Sequence, residues 1–158
     1  MVYSTLLSCA LIALLSMTNI TTAQDAPVQP EHLARRCVKK VKHIATRCVV
    51  KNRHTAARHV CKIRHLLKGS HDEAAKHVAD HGIAKINHQS DACVEHIRKL
   101  CAEYVAHLVE LGAPERVAEH VKQVGEDQIA MVRRSQRAAI QAIREVLAGA
   151  SDPAVDKY

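Results

Sequence analysis

From residue 31 to residue 63 the sequence divides into three lines of eleven: EHLARRCVKKV, KHIATRCVVKN and RHTAARHVCKI. Eleven residues make three turns of an α-helix at about 98° per residue, so every repeat position returns to the same face. The repeat therefore fixes both the secondary structure and its sidedness. Positions three, four, seven, eight and eleven share one arc of roughly 130°. They hold Leu33, Ala34, Cys37, Val38 and Val41, then Ile44, Ala45, Cys48 and Val49, then Ala56, Val60 and Ile63, with lapses at Asn52, Thr55 and His59. The second position lies nearly opposite and carries His32, His43 and His54, and His65 continues the series.

Helical periodicity runs on to about Leu147 and breaks twice. At Lys68-Gly69-Ser70-His71-Asp72, Gly ends one helix and Asp72 is placed to N-cap the next. At Leu111-Gly112-Ala113-Pro114-Glu115, Gly ends a helix and Pro opens another. The predicted helices span about 31–68, 73–111 and 114–148, with Gly125 placed to kink the third. The second has an apolar stripe through Ala75, Val78, Ala79, Ile86, Cys93, Val94, Ile97, Leu100, Cys101, Tyr104 and Leu108. The third has one through Val117, Val121, Val124, Met131, Val132, Ala139, Ile143 and Val146. Short connections favour antiparallel neighbours, so the expected fold is all-α, an antiparallel three-helix bundle in one domain over residues 31–148.

The first 23 residues, MVYSTLLSCALIALLSMTNITTA, carry an apolar run from Leu6 to Leu15 and small residues ahead of Gln24, the pattern of a secretory signal peptide. Residues 24–30, QDAPVQP, read as a flexible lead-in and residues 149–158 as a frayed tail. The expected localisation is secreted or periplasmic, with no transmembrane segment once the signal is removed. Export places the thiols in an oxidising compartment.

Five cysteines then remain. Cys37 and Cys48 stand about 16 Å apart along one helix, and Cys93 and Cys101 about 12 Å, too far to bridge within a helix. Across a hairpin turning near residue 70, facing residues have numbers adding to about 141. This register predicts disulfides joining Cys48 with Cys93 and Cys37 with Cys101, and leaves Cys61 on the polar face as a free thiol. A hairpin stapled twice over residues 31–111 resembles the helical hairpins with paired cysteines of the mitochondrial intermembrane space. The intervals of ten and seven residues here depart from that family's equal spacing, and the resemblance implies architecture alone.

Residues 31–68 hold twelve basic side chains against one acid, Glu31, whereas residues 72–111 hold four against seven. The candidate anion-binding residues are Arg35, Arg36, Lys39, Lys40, Lys42, Arg47, Lys51, Arg53, Arg58, Lys62, Arg64 and Lys68. Such a surface attracts an acidic polysaccharide, lipid headgroups or an acidic protein. Nucleic acid is disfavoured, because no stacking aromatic interleaves the cations and no recognition motif is present. A plainer account is a solvated basic face, partly neutralised by the acidic second helix.

Twelve histidines in 158 residues also invite a metal-buffering role for Zn, Cu or Ni. Glu73, His77 and His81 recur at i, i+4 on one helix face and are the candidate ligands. The four repeat histidines stand about 16 Å apart and cannot share an ion. No Gly-rich phosphate loop, nucleophile elbow, triad or CxxCH is present, so no enzymatic activity and no resident cofactor is expected. The amphipathic third helix and Cys61 leave room for a homodimer.

Overall fold

Pro30 lacks the N–H that a helix's first turn has no use for, and it opens the first of three helices in the computed structural model, which describes residues 29–149. These are α1 (Pro30–Lys68), α2 (Asp72–Glu110) and α3 (Glu115–Gly149). Each packs against the other two. The predicted signal peptide, the lead-in up to residue 28 and the tail from residue 150 lie outside the described residues. Among the described residues no helix is long and apolar enough to cross a membrane.

Cross-helix contacts set an antiparallel order. From α1 to α2, Asn52 meets Ser90 and His59 meets His81. From α2 to α3, Asn87 meets Gln136 and Asp91 meets Arg133. The predicted arc of α1 turns inward: Leu33, Ala34, Cys37, Val41, Ala45, Cys48, Ala56 and Ile63 are buried. Against them lie Ala75, Ala79, Ile86, Val94, Ile97 and Leu108 of α2, and Val121, Ile129, Val132, Ala139 and Ile143 of α3. Each fully buried Ile, Leu or Val contributes about 1.5–3 kcal/mol, and the alanines between them let the helices approach closely.

The core is divided. One apolar cluster runs from Leu33 to Cys48 on α1, and a second from Ala56 to Ile63. The gap on α1 is filled by Asn52, a lapse in the repeat that is 0 % exposed. Its amide Nδ2 donates to Ser90 Oγ at 3.0 Å, and its Oδ1 accepts from Gln89 Nε2 at 2.6 Å. On the α2–α3 side of the same level, Gln136 Nε2 donates to Asn87 Oδ1 at 2.7 Å, and Arg133 donates to Gln136 and to Asp91. A hydrogen-bonded polar layer thus crosses the bundle at mid-height, and no buried side-chain polar atom among the described residues lacks a partner.

Both helix ends close in the same six-to-one turn. His71 N–H donates to Leu66 O after α1, and Ala113 N–H to Leu108 O after α2. The left-handed position is Gly112 (φ 66°) in the second turn but Ser70 (φ 59°) in the first. Gly69 ends α1 as its C-cap, as expected, but with φ −92° and so outside the left-handed region. Asp72 is the first helical residue rather than the cap, because His71 occupies the N-cap and no side chain closes it. Helix α3 continues through Gly125 without interruption. That residue makes room for a neighbour: a Cβ there would stand 2.8 Å from Cys101 Sγ.

The disulfide expectation requires correction. Cys37, Cys48, Cys93 and Cys101 are free thiols, as is Cys61. The predicted partners lie near enough to perturb one another's ionisation, but not at disulfide distance. Cys48 Sγ lies 3.8 Å from the Gln89 carbonyl, four residues before Cys93, and Cys93 Sγ lies 3.9 Å from the Ile44 carbonyl, four before Cys48. Hydrophobic packing and the polar layer therefore hold the hairpin without staples, and the likeness to cysteine-paired hairpins goes no further than two long antiparallel helices.

Candidate functional site

All twelve basic side chains of α1 are exposed. Among the described residues the ion pairs are Lys76 with Glu73, Lys122 with Glu119 and Arg133 with Asp91, and none involves α1. Three of the carboxylates available for neutralisation are thus engaged within α2 and α3. Of the α1 cations, Lys40 alone meets an aromatic ring among the described residues, with Nζ 5.4 Å from the centre of Tyr104.

The third helix extends the basic surface in a way the sequence did not reveal. In one groove between α1 and α3, Arg116 and His120 join Arg35, Lys39 and Lys42 over a floor of Ala34, Val38 and Val117. In a second groove, Arg134 joins Arg53 beside Val49, Ala56 and Val60. Arg116 lies 74 residues or more, and Arg134 81 residues, from the α1 cations they join, so no local pattern links them.

The candidate metal ligands fare unevenly. Glu73 is paired with Lys76 Nζ at 2.9 Å and is largely in solvent. His77 and His81 share a niche of about 200 Å³ with Thr55, Arg58, His59, Lys62, Val78 and Lys85. Into it α1 brings His59, which the repeat showed only as a lapse. Its Nδ1–H donates to the Thr55 carbonyl at 2.8 Å, and its Nε2 stands 3.5 Å from His81 Nδ1. The two rings stack with centroids 5.7 Å apart. Gly82 permits this approach, because a Cβ there would lie 2.7 Å from the His59 ring. Among the described residues no group of three His, Cys, Asp or Glu side chains is arranged to hold a metal ion. The repeat histidines His32, His43, His54 and His65 are exposed along α1.

The thiol pairs have distinct chemistry. Burial pushes Cys37 up to about 12, reinforced by the charge and hydrogen bond of Cys101, and burial also raises Cys101. Cys48 is pulled down to about 7 by its hydrogen bond with Cys93, helped by Ser90, Lys51 and Arg133 and opposed by burial. Cys93 is raised by the same bond and by burial. The Cys48–Cys93 pair therefore gives up one proton readily and holds the other. Cys61 is exposed, away from all four.

Comparison of the chain with protein-family models, with curated proteins and with solved structures finds no match.

Proposed function

We propose that this is an exported, non-enzymatic binding protein whose basic α1 surface engages an anionic polymer, with acidic polysaccharide as the partner chemistry. The observation that carries the reading is the row of exposed cations on α1, none of them in an ion pair among the described residues. A 39-residue helix is about 58 Å long at 1.5 Å per residue. A charge row of that length suits an extended polyanion better than a compact ligand, and α3 widens it through Arg116 and Arg134.

Retention on immobilised heparin tests this reading. The wild-type chain should bind and elute with salt, and the variant K39Q/K42Q/R47Q/R53Q should elute at clearly lower salt. R137Q/R144Q on α3 serves as a control for non-specific attraction and should shift much less. Failure of the wild type to bind, or equal loss in the control, would overturn the reading. A competing role as a metal buffer draws on the contact of His81 with His59. Calorimetric titration with Zn, Cu and Ni beside the column separates the two: stoichiometric metal uptake without retention on heparin would favour the buffer.

A further inference from the structure

The niche lined by Arg58, His59 and Lys62 of α1 and by His77, His81 and Lys85 of α2 is tighter than the other basic grooves described along α1, including the α1–α2 groove at His43, Arg47, Lys51, His88 and His96. It is a small concavity of about 200 Å³, whereas the grooves between α1 and α3 are broad and floored with apolar side chains. At about 30 Å³ per water its volume of about 200 Å³ has room for a small ion together with several of its hydrating waters. Six of its eight lining residues are Arg58, His59, Lys62, His77, His81 and Lys85, the others are Thr55 and Val78, and no carboxylate is among them. α3 contributes nothing to the lining.

We propose that this niche is a binding site for a single tetrahedral oxyanion, a phosphate or sulfate group. The inference deepens the polyanion reading and rests on it in one respect, since it supplies the anchoring point for one charged ester of the polymer. Geometry and charge decide between an oxyanion and a metal cation. The 3.5 Å separation of His59 Nε2 and His81 Nδ1 would suit two nitrogens sharing a metal. Three permanent cations around them, with no carboxylate to offset the charge, oppose a divalent cation and favour an anion.

The hydrogen bonding points the same way. His59 Nδ1–H is committed to the Thr55 carbonyl, so the ring presents only Nε2 to the niche. As neutral rings, His59 and His81 share one N–H between the facing nitrogens. Once both rings are protonated, two N–H donors meet at 3.5 Å and need an acceptor bearing several oxygens, with Arg58 able to offer a forked pair of donors. Gly82 is what allows His59 to reach this position.

The test follows imidazole resonances of the full chain by NMR during titration with inorganic phosphate or sulfate, against chloride at matched ionic strength. His59, His77 and His81 should shift saturably while His32 and His43 stay still. K62Q/K85Q, both positions exposed, should weaken phosphate binding at least five-fold, and K39Q/K42Q should leave it unchanged. A sulfated heparin oligosaccharide that moves the same three resonances and competes with sulfate identifies the polymer as the source. Sulfate binding untouched by the oligosaccharide identifies the free anion. Absence of saturation, equal weakening in both double variants, or a response to zinc alone would overturn the site. Heparin retention with silent niche histidines would remove this inference and leave the polyanion reading standing.

Discussion

Ser70 and Gly112 occupy equivalent left-handed positions in two turns of the same kind. An L-residue held there is disfavoured by about 1–2 kcal/mol, whereas Gly is not. Ser70→Gly should therefore stabilise the protein by about 1 kcal/mol, and Gly112→Ala should destabilise it by a similar amount, read from urea midpoints. The thiols supply a second prediction. Groups with raised folded pKa stabilise fully below their unfolded value and lose that contribution as pH rises towards the folded one. Cys37, Cys93 and Cys101 lie above their ordinary value of 9.0. Cys48, pulled down to about 7, works oppositely and adds stability between pH 7 and 9. Above pH 9 the three raised thiols dominate, with Cys37 alone costing about 1 kcal/mol at pH 10. Thermal melts in reductant should fall between pH 9 and 10.5, and Cys37→Ala should flatten the fall.

At the scale of the helices, register is the property most in need of explanation. Ala, Val and Ile stripes alone tolerate sliding, because one turn's shift pairs similar side chains again. Asn52 meeting Gln89 and Ser90 does not tolerate it, since a shift would bury unpaired amides. Asn52→Ala should cost about 1–3 kcal/mol. Combined with Ser90→Ala it should cost less than the two single losses added together, a non-additivity measurable in a double-mutant cycle. The eleven-residue period assigned Cys37, Cys48 and the apolar residues to the inward face of α1 correctly. It could not say that Asn52, Thr55 and His59 on the same arc would also be drawn inward, because what makes a buried amide tolerable is a partner on another helix. Sequence numbering even matched the cysteines in their facing pairs, but facing side chains need not come within covalent reach, and here they do not.

Across the whole molecule, charge is distributed by helix. The twelve α1 cations are exposed and unpaired among the described residues, while the acids of α2 and α3 that form ion pairs find cations on those same two helices. A polyanion complex formed by such a surface is dominated by screened Coulomb attraction. Affinity for heparin, measured over a salt series, should fall steeply and linearly on logarithmic axes. The fourfold α1 variant should show both a lower affinity and a shallower slope, because fewer ions are released on binding. A salt-independent affinity would mean that the apolar grooves, rather than the charges, hold the ligand.

The sequence by itself determined that the chain forms long helices, which face of each is apolar, and that its positive charge is gathered on the first. Those are properties of period and composition, set within a few turns of one helix. Tertiary structure decided what depends on two helices at once. It set the polar layer that fixes the register, left the facing cysteines as free thiols, and brought Arg116 and Arg134 to the α1 surface. It also placed His59 against His81 over Gly82. Each of these rests on the separation of side chains far apart in the chain, a distance that no periodicity within one helix contains.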